Sequence, residues 1–241
     1  MNAGGSAAAN AALEFEALAD DAWLLRLGHE IDAALNARVH ALSAQVRAQR
    51  PAWLRDLVPA YASVAVFFDP FAIDAMHVRQ WLLAQYESMA GSSGDTPAAD
   101  ARIVEIPVVY GGEFGPDLHD CAQQLGLSPQ ALIDRHSGSL YTVAMIGFAP
   151  GFPYLSGLDP TLALPRLSTP RTEVAAGSVA IGGAQTGIYP HPGPGGWRLL
   201  GRTPLRLFEP ARATPSVLQA GDRVRFRPID ADEFARAQAT S

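Results

Sequence analysis

The chain contains no lysine: all 18 of its basic residues are arginine. Schiff-base catalysis and covalent biotin attachment both need a lysine amine, so neither belongs to this chain. The Gly-rich phosphate loop that ends in Lys-Ser/Thr is absent for the same reason, and if ATP is used its usual cradle is not here. Cysteine is nearly absent too. Cys121 stands alone, which excludes an internal disulfide and a multi-cysteine metal site and fits a cytoplasmic protein. No apolar run approaches the roughly 18 residues of a membrane helix. Residues 1–12, rich in Ala, Asn, Gly and Ser, lack the basic start and leucine-rich run of a signal peptide and read as a disordered tail. Positive charge is sparse: the net charge is −6, and Arg223, Arg225 and Arg227 form the only basic cluster, at strand spacing. Nucleic acid and anionic membrane are therefore not expected as partners. Nucleophile elbow, paired-carboxylate site, zinc-ligand set and nucleophile–base pair are all missing from the sequence.

What the chain has in excess is glycine and proline, and they are concentrated. The stretch from Ile146 to Phe208 holds 11 of the 22 glycines and 9 of the 19 prolines. Glycine supplies backbone angles other residues avoid, and proline fixes φ and removes a donor, so the mixture specifies many sharp turns. A flexible linker would lack the apolar runs between them: Ser178–Ile181, Trp197–Leu200 and Leu205–Phe208. An ordered, turn-rich β structure is expected. With 241 residues, 48% of them hydrophobic, the chain can build one large core or two small ones.

Taken in order, Ala22–Leu27 reads as a strand closed by Gly28, and Ile31 to Arg50 as a helix with Leu35, Val39, Leu42 and Val46 on one face, stopped by Pro51. Leu57-Val58 and Ser63–Phe68 are strands joined near Pro59 to Ala62. Ile73 to Met89 is a second amphipathic helix, residues 91–99 a polar loop, and Arg102–Tyr110 a further strand. The order β-α-β-β-α-β is that of a ferredoxin-like domain, assigned to residues 13–110. Residues 111–138 read as a helical connection: Asp117 is expected to cap a helix bearing Leu118, Cys121, Ala122 and Leu125, Gly126 to end it, and Ser128-Pro129 to start a second helix. Tyr141–Ile146 then leads into the turn-rich stretch, and in Arg223–Arg227 alternation sends Val224 and Phe226 inward. Many short strands with Gly/Pro turns predict a closed β-barrel over residues 139–229, followed by a tail from 230 to 241. The fold class is α+β in two domains, each with its own core.

Several side chains in the turn-rich stretch are candidates for a ligand site. Arg166 and Arg171 each follow a proline that stiffens the backbone presenting them, and two guanidiniums suit a carboxylate or phosphate. The competing reading makes them loop-holding ligands of carboxylates and carbonyls; Arg198 and Arg202 are weaker candidates for the same role. Gln185, Thr186 and Tyr189 offer hydrogen bonds beside glycines, with Ser178 and Thr169 as further candidates, against a reading in which all of them cap turns. Phe148, Phe152, Tyr154 and Trp197 form either a pocket wall or barrel core. His191 is the one histidine of the stretch and the weak candidate for proton transfer, opposed by its reading as a surface residue. Cys121, on an apolar helix face, reads as structural.

The segments from Gly147 to Leu155 (GFAPGFPYL), Pro165-Arg166, Pro170-Arg171, Gly182 to His191 (GGAQTGIYPH), Pro194 to Arg198 (PGGWR) and Gly201 to Pro204 (GRTP) together resemble the signature of the family of bacterial 5-oxoprolinase B subunits. That family is also known for a sporulation-kinase inhibitor and, in older naming, as allophanate hydrolase subunit 1. The resemblance runs from about Ala22 to Ile229. Family members have Pro where this chain has Ala175, and often Ala where it has Gly182; neither position carries a reactive group. The resemblance implies a ferredoxin-like amino-terminal domain and a cyclophilin-like barrel. It implies a component of an ATP-dependent enzyme that opens the lactam of 5-oxo-L-proline to L-glutamate together with 5-oxoprolinase subunits A and C. ATP would be consumed by the complex, with no cofactor bound by this chain. Two other classes stay open: a regulatory protein inhibiting a histidine kinase, and half of a urea carboxylase-type carboxyltransferase, which would need a partner carrying biotin.

Overall fold

A computed structural model describes residues 13–90 and 102–239. The expectations for the tail at 1–12 and the loop at 91–99 lie outside the described residues. The chain divides into two compact units, Met1–Pro97 and Ala98–Ser241.

In the first unit two helices cover one face of a four-stranded antiparallel sheet. Its elements are β1 (Glu14–Ala19), β2 (Ala22–Arg26), α1 (Ala33–Gln49), β3 (Leu54–Pro59), β4 (Ser63–Phe68) and α2 (Ala75–Ala90), with strand order β1-β2-β4-β3. Alternation along β4 points Val64, Val66 and Phe68 into the core, where Val39, Leu42 and Val46 of α1 and Val78 and Leu82 of α2 meet them. Asp32 starts α1 by accepting the Leu35 N–H at 2.8 Å. Arg50 ends it in the left-handed conformation at φ 43°, just ahead of Pro51.

The domain boundary expected at residue 110 needs correction. The strand expected to complete this sheet, β5 (Ile103–Tyr110), belongs to the second unit. β1, which the sequence reading passed over, takes the edge position beside β2 instead. Two effects favour that exchange. The β1–β2 hairpin closes through the short Asp20-Asp21 turn, which costs little loop entropy. β5 in turn finds partners on both edges: β13 (Arg223–Pro228) in parallel along Ile103–Val108, and β12 (Arg198–Arg202) at Val109 and Tyr110.

The second unit is built on a closed seven-stranded barrel with order β10-β7-β6-β13-β5-β12-β9. Its remaining strands are β6 (Leu140–Ile146), β7 (Pro153–Ser156), β9 (Ser178–Gly182) and β10 (Gln185–Ile188). A separate two-stranded ribbon pairs β8 (Arg171–Val174) with β11 (Gly193–Gly195). The segment expected to be a connection forms α3 (Leu118–Leu125) and α4 (Pro129–Gly138), and both helices pack into the barrel core through Leu118, Cys121, Ala122 and Leu132. The expected tail is likewise structured: α5 (Ala231–Ala239) buries Phe234 against Phe114, ring centroids 4.8 Å apart. Val224 and Phe226 point inward as read from the sequence.

Alternation splits the strands between two cores. Val179 and Ile181 of β9, Leu200 of β12 and Leu155 of β7 fill the barrel interior. Their neighbours Ala180, Leu199 and Tyr154 therefore lie on the outer face, where Phe152, Val174, Tyr189 and Trp197 join them in a second cluster. Val174 comes from the β8–β11 ribbon, which thereby covers that face.

One polar chain crosses the barrel interior. His136 of α4 is fully buried, stacked on Phe226 at 4.7 Å, with Nδ1 2.8 Å from the Tyr110 hydroxyl and Nε2 3.0 Å from Thr186 Oγ1. Thr186 donates to the Ala180 carbonyl at 2.9 Å, so its oxygen accepts from a protonated Nε2, leaving Nδ1 to accept from Tyr110. Every member is satisfied by one neutral tautomer. Burial lowers the His136 pKa from its ordinary 6.5 to about 3. The unfolded chain then binds the extra proton between these values, so the contribution to stability is complete above pH 6.5 and is lost as the pH falls toward 3. Urea unfolding should show wild-type stability falling below pH 6.5 by up to about 1.4 kcal/mol per pH unit from this group, with His136→Gln flattening that slope. An equal slope in the variant would refute the assignment. Ile106→Ala should cost about 2–5 kcal/mol and lower hydrogen-exchange protection in the barrel strands while leaving β1–β4 unchanged; loss of protection in β1–β4 would place β5 back in the first sheet.

Candidate functional site

On the outer barrel face the rings interlock edge to face. Phe152 lies 4.9 Å from Tyr154, 5.2 Å from Tyr189 and 5.7 Å from Trp197, and Tyr154 lies 5.9 Å from Trp197. Phe152, Tyr189 and Trp197 are buried and Tyr154 is half-buried. These aromatics are thus core, as one of the two readings had it, but of the outer layer and not of the barrel interior. Phe148 differs. It is 67% exposed at the cluster's edge, 5.4 Å from Phe152, and holds a φ of +67°, a conformation that costs a non-glycine residue of order 1–3 kcal/mol.

The arginines sit around this layer. Arg171, the first residue of β8, donates from Nη2 to Asp117 Oδ1 at 2.7 Å. Asp117 Oδ2 accepts the Leu199 N–H at 2.7 Å, while the Asp117 N–H donates to the Leu199 carbonyl at 3.1 Å. Asp117 was expected to cap α3, and it does not: its backbone is αR (φ −94°, ψ −3°) and no capping bond forms. Both carboxylate oxygens are taken by groups 54 and 82 residues away in sequence, one cationic and one a buried strand donor, which outcompete a cap. Gly115 permits the approach, since a Cβ there would meet the Leu200 carbonyl oxygen at 2.0 Å.

Arg166 is exposed and places its guanidinium carbon 5.6 Å from the Trp197 ring centre. Arg198 donates from Nε to the Pro165 carbonyl at 2.9 Å, and Arg202 to the Ala176 carbonyl at 2.9 Å, so these two hold loops in place. Burial pushes the pKa of the Cys121 thiol up to about 11, against the lowering influence of Arg198, so the thiol stays protonated at neutral pH and is no nucleophile. The Tyr189 phenol lies under the opposing influence of burial, which raises its pKa, and of the Trp197 backbone, Arg166 and Arg171, which lower it. Its hydroxyl would lie 2.4 Å from a Cβ at Gly195, the residue paired with Arg171 across the ribbon.

The other candidates are placed elsewhere. Thr186 is buried in the barrel interior as His136's partner and is not available to a ligand. Gln185 is half-buried at the start of β10, Ser178 is buried in β9 and Thr169 is exposed beside Pro170. His191 packs edge-on against Phe208 at 5.6 Å and, among the described residues, makes no hydrogen bond or ion pair. An open depression lined by Pro70, Phe71, Ile73, Asp74 and His77 belongs to the first unit, whereas the arginine and aromatic groups all belong to the second. What the second unit gathers is therefore a cluster of guanidiniums, a phenol and aromatic rings, without a nucleophile–base pair among the described residues. Asp117 is the member that sequence reasoning missed, because no local pattern separates a capping aspartate from one whose partners arrive from distant strands.

The family described as "Carboxyltransferase domain, subdomain C and D" matches residues 13–218. A Bacillus subtilis (strain 168) protein, named as the B subunit of 5-oxoprolinase, is 43% identical over 228 residues, covering 92% of this chain and 95% of that protein. An Escherichia coli O157:H7 protein of the same name is 54% identical over 129 residues, 54% of this chain and 59% of that one. Among solved structures, a conserved uncharacterized Pyrococcus horikoshii protein, PH0987, is 44% identical with a TM-score of 0.55, covering 92% of this chain and 100% of that one. TTHA0988 is 39% identical with a TM-score of 0.74 over 88% of this chain, which spans 40% of that protein's length. The Kluyveromyces lactis urea carboxylase shares the fold at 20% identity, TM-score 0.69, over 93% of this chain and 22% of its own length. The chain belongs to the carboxyltransferase subdomain C and D family and, within it, to the group of 5-oxoprolinase B subunits.

If Asp117 ties α3, β8 and β12 together, Asp117→Ala should destabilise the second unit by about 1.5–3 kcal/mol in urea unfolding, against less than about 0.5 for Asp120→Ala on the exposed side of α3. Equal effects would show the tie to be energetically idle.

Proposed function

We propose that the chain works as the B component of an ATP-dependent 5-oxoprolinase, in a complex with subunits A and C that converts 5-oxo-L-proline to L-glutamate. The observation that carries this reading is end-to-end similarity to the Bacillus subtilis protein, 43% identity across 92% of this chain and 95% of the other. Its first unit is read as ferredoxin-like with the edge strand supplied by β1, and its second as a cyclophilin-like barrel. The complex is assigned to the cytoplasm. Among the described residues no helix is long and apolar enough to cross a membrane.

A lactam is a stable amide, and coupling to ATP activates its carbonyl oxygen as a phosphate before water attacks. That chemistry needs phosphate neutralisation, carbonyl activation and a positioned water. This chain has no lysine, His136 is enclosed in the barrel and Cys121 is held as a thiol. The chain's part is recognition, through the arginine and aromatic surface of the outer barrel face, with ATP handled by the other two components. Contact with the C component should cover roughly 1,000 Å² or more. Phe152, Tyr154, Tyr189 and Trp197 were the expected anchors of that contact, but Phe152, Tyr189 and Trp197 are buried and Tyr154 is half-buried, and the aromatic of the cluster that projects into solvent is Phe148.

Co-expression with the A and C components, followed by an assay of ATP-dependent glutamate release from 5-oxo-L-proline, tests the proposal. Activity is expected from the assembled complex and none from the purified chain. An inactive complex would overturn the reading, and robust turnover by the isolated chain would overturn the division of labour.

A further inference from the structure

We propose that Arg171, held in place by Asp117, is the residue that recognises the carboxylate of a small cyclic monocarboxylic acid, with Arg166 completing the subsite. The inference rests on the lactam-opening reading and assigns the acid group of that ligand to named donors.

The first support is a donor without an acceptor. Arg171 Nη1 is buried and makes no hydrogen bond among the described residues, although Nη2 of the same guanidinium is bound to Asp117 at 2.7 Å. A buried charged donor left unpaired carries a desolvation penalty, and natural structures rarely keep one without a role. The side chain as a whole keeps 30% of its surface open.

The second support is convergence. Gly195, the β11 partner of Arg171, lies so close to the Tyr189 hydroxyl that a Cβ would meet it at 2.4 Å. Next to it, the Gly196 carbonyl accepts the Leu167 N–H at 2.7 Å and fixes the turn that displays Arg166 over Trp197. Arg166, Arg171 and Tyr189 are thus tied to one pair of adjacent glycines. Asp117 acts as a positioning residue: bonded on its other side to the Leu199 N–H, it fixes the guanidinium's plane against the barrel.

Charge selects the ligand. Two guanidiniums, Arg166 and Arg171, act on the Tyr189 phenol, and one carboxylate, Asp117, pairs with Arg171. Two positive minus one negative leaves one positive charge, which matches a monoanion and leaves a phosphate dianion half neutralised. Phe148, exposed and 6.5 Å from the Tyr189 ring, offers an apolar ring a wall beside the acid group.

Titration calorimetry on the full chain, alone and in the assembled complex, tests the subsite with three probes: 5-oxo-L-proline, its carboxamide and inorganic phosphate. The wild type should prefer the acid to the amide by on the order of 10- to 100-fold. Arg171→Lys should abolish that preference as fully as Arg171→Ala while the amide's affinity holds, because an ammonium cannot reproduce the planar fork. Asp117→Asn should raise KM for the acid in the complex with kcat unchanged. The subsite is refuted if the wild type binds acid and amide alike or neither, if Arg171→Lys weakens both equally, or if phosphate binds as tightly as the acid. The same comparison with cyclopentanecarboxylate and its amide separates the two readings. Preference for that acid in a complex without glutamate release removes the lactam assignment alone, and turnover with KM unmoved by Arg171→Lys removes the subsite alone.

Discussion

The second unit depends on the carboxylate of Asp117. Its two oxygens join the start of α3 to β12 through the Leu199 N–H and to the β8–β11 ribbon through Arg171. Without that carboxylate the ribbon would be attached to the outer barrel face by Val174, the Arg198 and Arg202 bonds to loop carbonyls, and short turns. A charged group at this depth is stabilised only when its hydrogen bonds are all made, and here one donor is a guanidinium and the other a strand amide. Gly115 is what lets the two backbones come close enough.

The barrel supplies the geometry for everything else. Because successive side chains alternate across a strand, a few residues of β9 and β12 serve two cores at once, an aliphatic one inside and an aromatic one outside. The closed sheet has no free edge, and the ribbon adds a layer outside it without adding a strand. Chemistry follows the same division. The interior network of Tyr110, His136 and Thr186 is internally satisfied and holds its histidine neutral, so it specifies packing. The outer face keeps the Arg166 and Arg171 guanidiniums in reach of solvent.

Much of this organisation was legible in the chain. The two helices of the first unit, the strand alternation of Ser63–Phe68 and Arg223–Arg227, the cap at Ser128 and the glycine stop at Gly126 all rest on local rules and appear where those rules place them. The density of glycine and proline between Ile146 and Phe208 identified an ordered β region. The reading went astray where partners are distant. Arg102–Tyr110 has the pattern of a strand, and nothing in that pattern says which sheet receives it. Thr186 has the composition of a ligand-binding turn, and its burial beneath His136 comes from a helix 50 residues earlier.

The sequence by itself determined which residues are available and which chemistry is closed to them. The absence of lysine, the lone cysteine and the amphipathic periods follow from residue types and their spacing, and no fold could change them. Tertiary structure alone decided partnership. β5 joined the barrel because it could be hydrogen-bonded on both edges there, and the local β1–β2 hairpin had already filled the edge of the first sheet. Asp117 became a tie and not a cap because Leu199 and Arg171 reach it from strands far along the chain, and long-range hydrogen bonds of that kind leave no local trace.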